Sequence, residues 1–404
     1  MKYLDNQYIN EFNAVILEVR NLKNNNGIIL NETYFYPEGG GQPGDRGSIN
    51  GYVIIDTLTE DGKTIHITAD SVDSNHIGQT VECKIDGKRR LALMQQHTGQ
   101  HLLSSCAEKL FDAATVGFHI GDDYVTIDLD KKLTTDDIST LEIMANDTIW
   151  SNIEVLAHYP TEDELGRLPL RKQPKVTKDI RVIEIKDFDF SPCGGTHTKT
   201  TAEIGIIKIK KTENYKTGVR IEFVCGLYAL DVFKKQNQII SELMQIYSVQ
   251  DHEVIDFAKN NLDQVKTLKK EILLLEEELL DQSVNAILSN FEDFEGIKVV
   301  KLSEEYTGMN NLRKKCSKIC SNPNFIVIGT SSDANKTHIV LSKSQNIPND
   351  IDMNGLFKSY FAPLGCKGGG NSSSSQGGYD GLLSTDAITD EIESYIEKII
   401  ENIN

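Results

Sequence analysis

The amino terminus, MKYLDNQYINEF, has no basic stretch leading into an apolar one, so a secretory leader is not expected. No apolar run in the chain approaches the roughly 20 residues that a membrane-spanning helix requires. Cysteine is sparse: Cys83, Cys106, Cys193, Cys225, Cys316, Cys320 and Cys366 are seven in 404 residues, an odd count at irregular spacing. Without an export signal they read as reduced thiols of a cytoplasmic protein, not as a disulfide framework. There is no glycine-rich Walker-type loop to cradle ATP phosphates. The HExxH signature is missing too, because Thr98 follows His97 where a zinc peptidase needs its general-base glutamate.

What is present is an ordinary globular composition, 39% apolar and 25% charged, long enough for two or three domains. The net charge of −18 speaks against nucleic acid as a partner of the whole surface. Phosphate contacts are local, however, and the basic residues cluster. The clusters are Lys84 with Lys88, Arg89 and Arg90; Arg171 with Lys172, Lys175 and Lys178; Lys208, Lys210, Lys211, Lys216 and Arg220; and Arg313, Lys314, Lys315 and Lys318. Each can equally be a solvated face, so charge alone decides nothing.

Residues 12–85 alternate short apolar runs with Gly, Asn and Asp punctuation, the pattern of a small β-barrel or sandwich. Residues 88–111 read as a helix with Leu91, Met94, Leu102, Cys106 and Leu110 on one face. Strands around EVLAHYP, IRVIEIKDF and GIIKIKKTE complete an α/β core. From about Gly226 to Phe291 the pattern is helical. Its stripe Leu262, Val265, Leu268, Ile272, Leu275 and Leu279 suits either a coiled coil or one long helix packed on a domain. Residues 296–404 read as a final α/β unit, with a low-complexity loop, GCKGGGNSSSSQGG, between its last two helices. The expected class is α+β.

The sharpest chemical signal is two pairs of residues. His97 and His101 stand one helical turn apart, so their rings can project side by side. Cys193 and His197 repeat that spacing in SPCGGTH, where Gly194–Gly195 lets the backbone fold tightly. Three imidazoles and a thiolate form a borderline-soft donor set suited to tetrahedral Zn²⁺. Four protein ligands would make a closed, organising site. A displaced one would leave a position for carbonyl polarisation or an activated water.

HTGQHLL and CGGTH resemble the two halves of the editing-site motif of alanyl-tRNA synthetases and their free-standing relatives, the AlaX proteins. YFYPEGGGQPGDRG (34–47) is similar to that family's glycine-rich loop, and GVRIEFVCG (218–226) to the strand closing its editing domain. CKGGGNSSSSQGG resembles the loop of the DHHA1 module, although NSSSS replaces the bulkier, partly charged run of relatives. The resemblance implies a long-form AlaX-like architecture. Its parts are a β-barrel domain at 1–87, a zinc-containing editing domain at 88–226, a helical linker at 227–292 and a DHHA1-like module at 293–404. With strands starting near residue 12, no room is expected for an aminoacylation domain.

The implied activity is zinc-dependent hydrolysis of mischarged Ser-tRNA-Ala, with Gly-tRNA-Ala as a second substrate, by a homodimer. His97, His101, Cys193 and His197 would hold the metal. Gln42 matches the family's editing glutamine, and Thr115 is a candidate reader of the serine hydroxyl, with Phe118 and His119 as neighbouring alternatives. Gly39, Gly40 and Gly41 would let bare backbone approach the tRNA terminus. Lys367, Gly368, Gly369 and Gly370 would contact tRNA phosphate. The rival readings are a non-catalytic tRNA-binding module with a structural zinc, and a phosphoesterase. The latter is disfavoured because Asp251–His252 is followed by Glu253, so the Asp-His-His motif is missing.

Overall fold

The computed structural model describes residues 2–403 except 123, 175–179, 290, 295 and 334. Two of the basic residues named above, Lys175 and Lys178, therefore lie outside the described residues. The chain divides into two compact units, 1–251 and 252–404, and the class is α+β. Among the described residues no helix is long and apolar enough to cross a membrane.

The first unit opens with strands β1 (Glu11–Asn21), β2 (Asn26–Leu30), β3 (Gly47–Ile49), β4 (Tyr52–Ile54), β5 (Asp56–Glu60), β6 (Lys63–Thr68) and β7 (Thr80–Ile85). They form a seven-stranded antiparallel sheet in the order β4-β3-β7-β1-β2-β6-β5. The sheet curls. The run YVIIDTL, which reads as one strand, breaks at Ile55, whose N–H donates to the Ile67 carbonyl at 2.8 Å. Ala14, Ile16, Ile28, Phe35, Ile49, Ile54, Val81 and Cys83 pack together as its core.

A 25-residue helix, Gly87–Phe111, follows. The Asp86 carboxylate caps it by accepting from Arg89 N, and Asp112 ends it in the left-handed region at φ 50°. The sequence predicts a one-sided apolar stripe, but the helix is buried all round from Ala92 to Ala107. Leu110, placed on that stripe, is exposed. A helix can be enclosed with polar residues on every face only if most of them find partners inside, and most of these do. Gln96 pairs with both backbone groups of Cys225, at 2.9 and 3.2 Å. Gln95 spans Glu203 O and Leu227 N.

Around this helix lie a four-stranded sheet, β13-β14-β9-β8, and a three-stranded sheet, β10-β11-β12. Their strands are β8 (Thr115–Ile120), β9 (Val125–Leu129), β10 (Val155–His158), β11 (Val182–Ile185), β12 (Asp189–Pro192), β13 (Ile207–Tyr215) and β14 (Gly218–Cys225). Helix Thr135–Trp150, started by a Thr134–Asp137 capping box, closes the core against Leu102, Ile127, Ile221 and Phe223. The basic cluster on β13 and β14 is largely matched by acids: Lys208 with Glu142, Lys210 with Glu222, Lys211 with Glu213 and Arg220 with Asp128.

The expected continuous helical stretch is two helices, Gly226–Tyr247 and Val254–Ile287, broken where Ser248 adopts φ 55°. In the second unit Leu280, Val284 and Ile287 pack on the sheet core, whereas the stripe Leu262–Leu279 is exposed. The six-stranded sheet there runs β15-β16-β17-β18-β20-β19, with one parallel pair, β16–β17. Its strands are β15 (Glu292–Phe294), β16 (Ile297–Glu305), β17 (Phe325–Asp333), β18 (Lys336–Lys343), β19 (Lys367–Gly370) and β20 (Ser374–Asp380). Period-two alternation sends Ile326 and Ile328 towards Phe357 and Ile396, and Val327 towards Leu312 and Cys316.

One expectation is corrected here. CKGGGNSSSSQGG is not a loop but an antiparallel hairpin, β19–β20, at the sheet edge. Its glycines allow close pairing. A Cβ on Gly368 would stand 2.2 Å from Gln376 O, and one on Gly370 2.0 Å from Ser374 O.

Candidate metal centre

The central helix and the segment after β12 bring His97, His101, Cys193 and His197 together, with their donor atoms all within 4.8 Å of one another. The three histidines are buried and Cys193 is half-buried. Cys193 Sγ lies 3.3 Å from His97 Nε2 and 3.3 Å from His197 Nε2. The other ring nitrogens are occupied or directed: His97 Nδ1 is 2.8 Å from Gln42 Oε1, and His197 Nδ1 is 3.3 Å from Thr98 Oγ1. Among the described residues His101 Nδ1 has no hydrogen-bond partner, and Asp189 lies 3.8 Å from it. Asp189 is itself held by Arg171, whose Nε donates at 2.7 Å.

Burial keeps all three imidazoles neutral. It pushes His97 down to about 3, helped by the nearby Arg181 and Lys172 cations. His101 and His197 lie well below the ordinary histidine value for the same first reason. Burial raises the Cys193 thiol, opposed by the Gly195 N–H, 3.5 Å from the sulfur, and by Arg181. Neutral imidazoles are the form that binds metal. The cluster can hold a metal ion.

Gln42 sits at the end of a tight turn in which Gly39 and Gln42 exchange backbone hydrogen bonds, with Gly40 and Gly41 at φ 59° and 86°. The turn buries Gln42 completely. Its Oε1 also accepts from Thr196 N at 3.0 Å, and its Nε2 donates to Thr196 Oγ1 at 2.7 Å. Both oxygen lone pairs and one N–H of this amide are thus used inside the protein. Three residues further on, Asp45 makes a buried ion pair with Arg90 of the central helix. The glycine-rich loop is therefore clamped to the helix that presents His97.

The Gly194–Gly195 step works differently from the tight fold expected of it, since neither residue has a positive φ. A Cβ on Gly195 would stand 2.2 Å from His97 Cε1, so this glycine makes room for the ligand ring. Thr115 is half-buried on β8 and donates to Ser104 Oγ at 2.8 Å, which also accepts from Gln100 Nε2 at 2.9 Å. Phe118 reaches the site, its ring centroid 6.2 Å from that of His97, while His119 is exposed. Lys367, Gly368, Gly369 and Gly370 belong to the second unit, in β19.

Three participants escaped the sequence reading. Gln7 accepts from His197 N at 2.5 Å. Arg181 Nη1 donates to the carbonyls of Cys193 and Gly195, at 3.1 and 2.7 Å. Gln100 is 1% exposed, and its Oε1 has no hydrogen-bond partner. Only Gln100, inside HTGQH, lay within a stretch read as part of the site.

Residues 180–222, which include the Cys193–His197 segment, match the family model for the threonyl and alanyl tRNA synthetase second additional domain. Residues 8–89 match that for class II (A) tRNA synthetases. The chain is 32% identical over 382 residues to the alanine–tRNA ligase of Methanobrevibacter smithii, covering 91% of this chain and 42% of the ligase. It thus spans about two-fifths of that relative's length. It is 33% identical over 394 residues to the alanyl-tRNA editing protein AlaX-L of Pyrococcus horikoshii, covering 93% of each chain. A match of that extent from end to end places the chain in the family of AlaX-L, the alanyl-tRNA editing proteins.

Proposed function

We propose that this protein hydrolyses the ester of mischarged Ser-tRNA-Ala, and secondarily of Gly-tRNA-Ala, at a zinc centre formed by His97, His101, Cys193 and His197. The observation carrying this reading is the buried four-donor cluster in a chain of the alanyl-tRNA editing family. The donor spacing fits zinc: Zn–S of about 2.3 Å and Zn–N of about 2.0 Å at a tetrahedral angle put sulfur and nitrogen about 3.5 Å apart. The separations here are 3.3 Å. When bound, zinc supplies Lewis acidity or a rigid anchor for the aminoacyl end.

The protein's own groups do the placing. An aminoacyl ester is already activated, so holding it in register contributes much of the rate. Gln42 positions His97, and Asp189 faces His101 while being held by Arg171. Selection against alanine requires a buried polar group that only the serine hydroxyl satisfies. The arrangement Gln100–Ser104–Thr115 supplies one beside His101. The proposed division remains 1–87, 88–226, 227–292 and 293–404, with the last segment, including Lys367–Gly370, contributing tRNA contacts. The proposed homodimer forms through the exposed Leu262–Leu279 stripe of the helical linker or through the DHHA1-like module.

The test is release of amino acid from Ser-tRNA-Ala and Ala-tRNA-Ala, with and without a chelator. Serine release that the chelator stops, with alanine spared, is expected. Tight RNA binding without release would favour a non-catalytic tRNA-binding module with a structural zinc.

A further inference from the structure

We propose that Lys172, with Phe118 beside it, forms the subsite for the last nucleotide of the tRNA, the ammonium taking the phosphate on that nucleotide's 5′ side. The inference rests on the tRNA-editing reading above and assigns its substrate contact. Lys172 is exposed, and its Nζ lies 5.3 Å from the centroid of the Phe118 ring. That ring is in turn a neighbour of the ligand His97. Phe118 lies against the glycine-rich loop, where a Cβ on Gly41 would meet its Cε2 at 2.8 Å. The chain around Lys172 is fixed. Arg171 N donates to Phe190 O at 2.9 Å, and its guanidinium grips buried Asp189 and the Ser191 hydroxyl on β12. This strand leads directly into Cys193, so the ammonium is anchored to the segment that carries a metal ligand.

The charge balance points the same way. Over the whole chain the balance is −18, and most of the cluster on β13 and β14 is matched by acids. At His101 the cations Arg171, Lys172 and Arg181 all act, with the Arg171 guanidinium paired to Asp189. Arg181 is 6% exposed, with Nε and Nη2 buried and making no hydrogen bond. Cationic groups beside an aromatic ring, on an acidic protein, suit a single-stranded nucleic-acid end: phosphate for the ammonium, sugar and base for the ring.

The test is an RNA-truncation cycle. Binding of an uncharged acceptor minihelix ending in CCA, and of one ending in CC, is measured for wild type, K172Q, K172R and the distant charge control K23Q over a range of salt. K172Q is expected to weaken binding of the intact RNA roughly fivefold and to flatten its log–log salt slope by about 0.7, one single-strand phosphate contact. K172R should retain most of the affinity, and K172Q should bind the truncated RNA as wild type does. Equal losses on both RNAs, or none on either, would overturn the assignment while leaving the editing reading intact. Wild type that binds neither RNA and releases no amino acid would overturn both.

Discussion

His97 Nδ1 donates to Gln42 Oε1 across 2.8 Å, and this bond fixes which nitrogen of the ring faces Cys193. A histidine ligand whose second nitrogen is held keeps one tautomer and one orientation. Replacing Gln42 with leucine removes that acceptor and leaves Thr196 N without its partner. We expect Q42L to weaken zinc affinity by about 10- to 100-fold, the usual cost of losing such a partner. Competition against a chromogenic chelator measures it. Unchanged affinity would show that packing alone orients His97.

The glycine-rich loop is held by a second device, the Asp45–Arg90 pair, whose side chains are 1% and 2% exposed. Asp45 also accepts from Tyr36 N, and Arg90 donates to Gln7 O and Tyr34 O. Removing one partner strands the other charge in a dry interior, at a cost of about 3–5 kcal/mol. We expect D45A to lower unfolding free energy by that amount in urea titration, and D45A/R90M to recover part of it. A loss under about 1 kcal/mol would mean that water reaches Arg90.

The legible part of the site was the set of atoms that bind metal, because spacing on a helix and within one short turn is local. HxxxH and CxxxH each fix a separation along the chain. What holds those ligands was not legible. Gln42 meets His97 55 positions away, and Arg181 reaches around to the Cys193 segment through the pairing of β11 with β12. The central helix misled for a related reason. Its glutamines look solvent-facing by hydropathy, yet Gln95 and Gln96 are satisfied by backbone more than 100 residues distant. The hairpin at 367–380 was hidden because glycine and serine runs carry little strand propensity, and the pairing depends on the absence of side chains.

His66 gives the fold a pH dependence. It is fully buried, with Nδ1 against Ile28 O at 2.8 Å and Nε2 against Thr33 Oγ1 at 2.9 Å. Burial pushes it down to about 4 from the ordinary 6.5, partly offset by the Ile28 carbonyl. Above 6.5 neither the folded nor the unfolded state is protonated. As pH falls towards 4, the unfolded chain binds a proton that folded His66 refuses. Stability then drops by up to about 1.4 kcal/mol per pH unit. Wild type should lose stability relative to H66N across pH 6.5 to 4, with the metal ligands common to both proteins cancelling. Parallel curves would show that His66 does not carry this dependence.

Two residues compete for the reading of serine. Thr115 spends its hydroxyl hydrogen on Ser104, whereas Gln100 keeps a buried acceptor that nothing satisfies. An unmet acceptor costs free energy until a donor arrives. The serine hydroxyl is such a donor, and the alanine methyl is not. On this argument Q100L should reduce the serine-to-alanine ratio of kcat/KM by about tenfold or more, chiefly through slower serine release. T115V removes only a brace on Ser104 and should shift the ratio by less than about threefold. The comparison is made with matched Ser-tRNA-Ala and Ala-tRNA-Ala at saturating zinc. A large loss in T115V with little change in Q100L would return the specificity role to the strand hydroxyl.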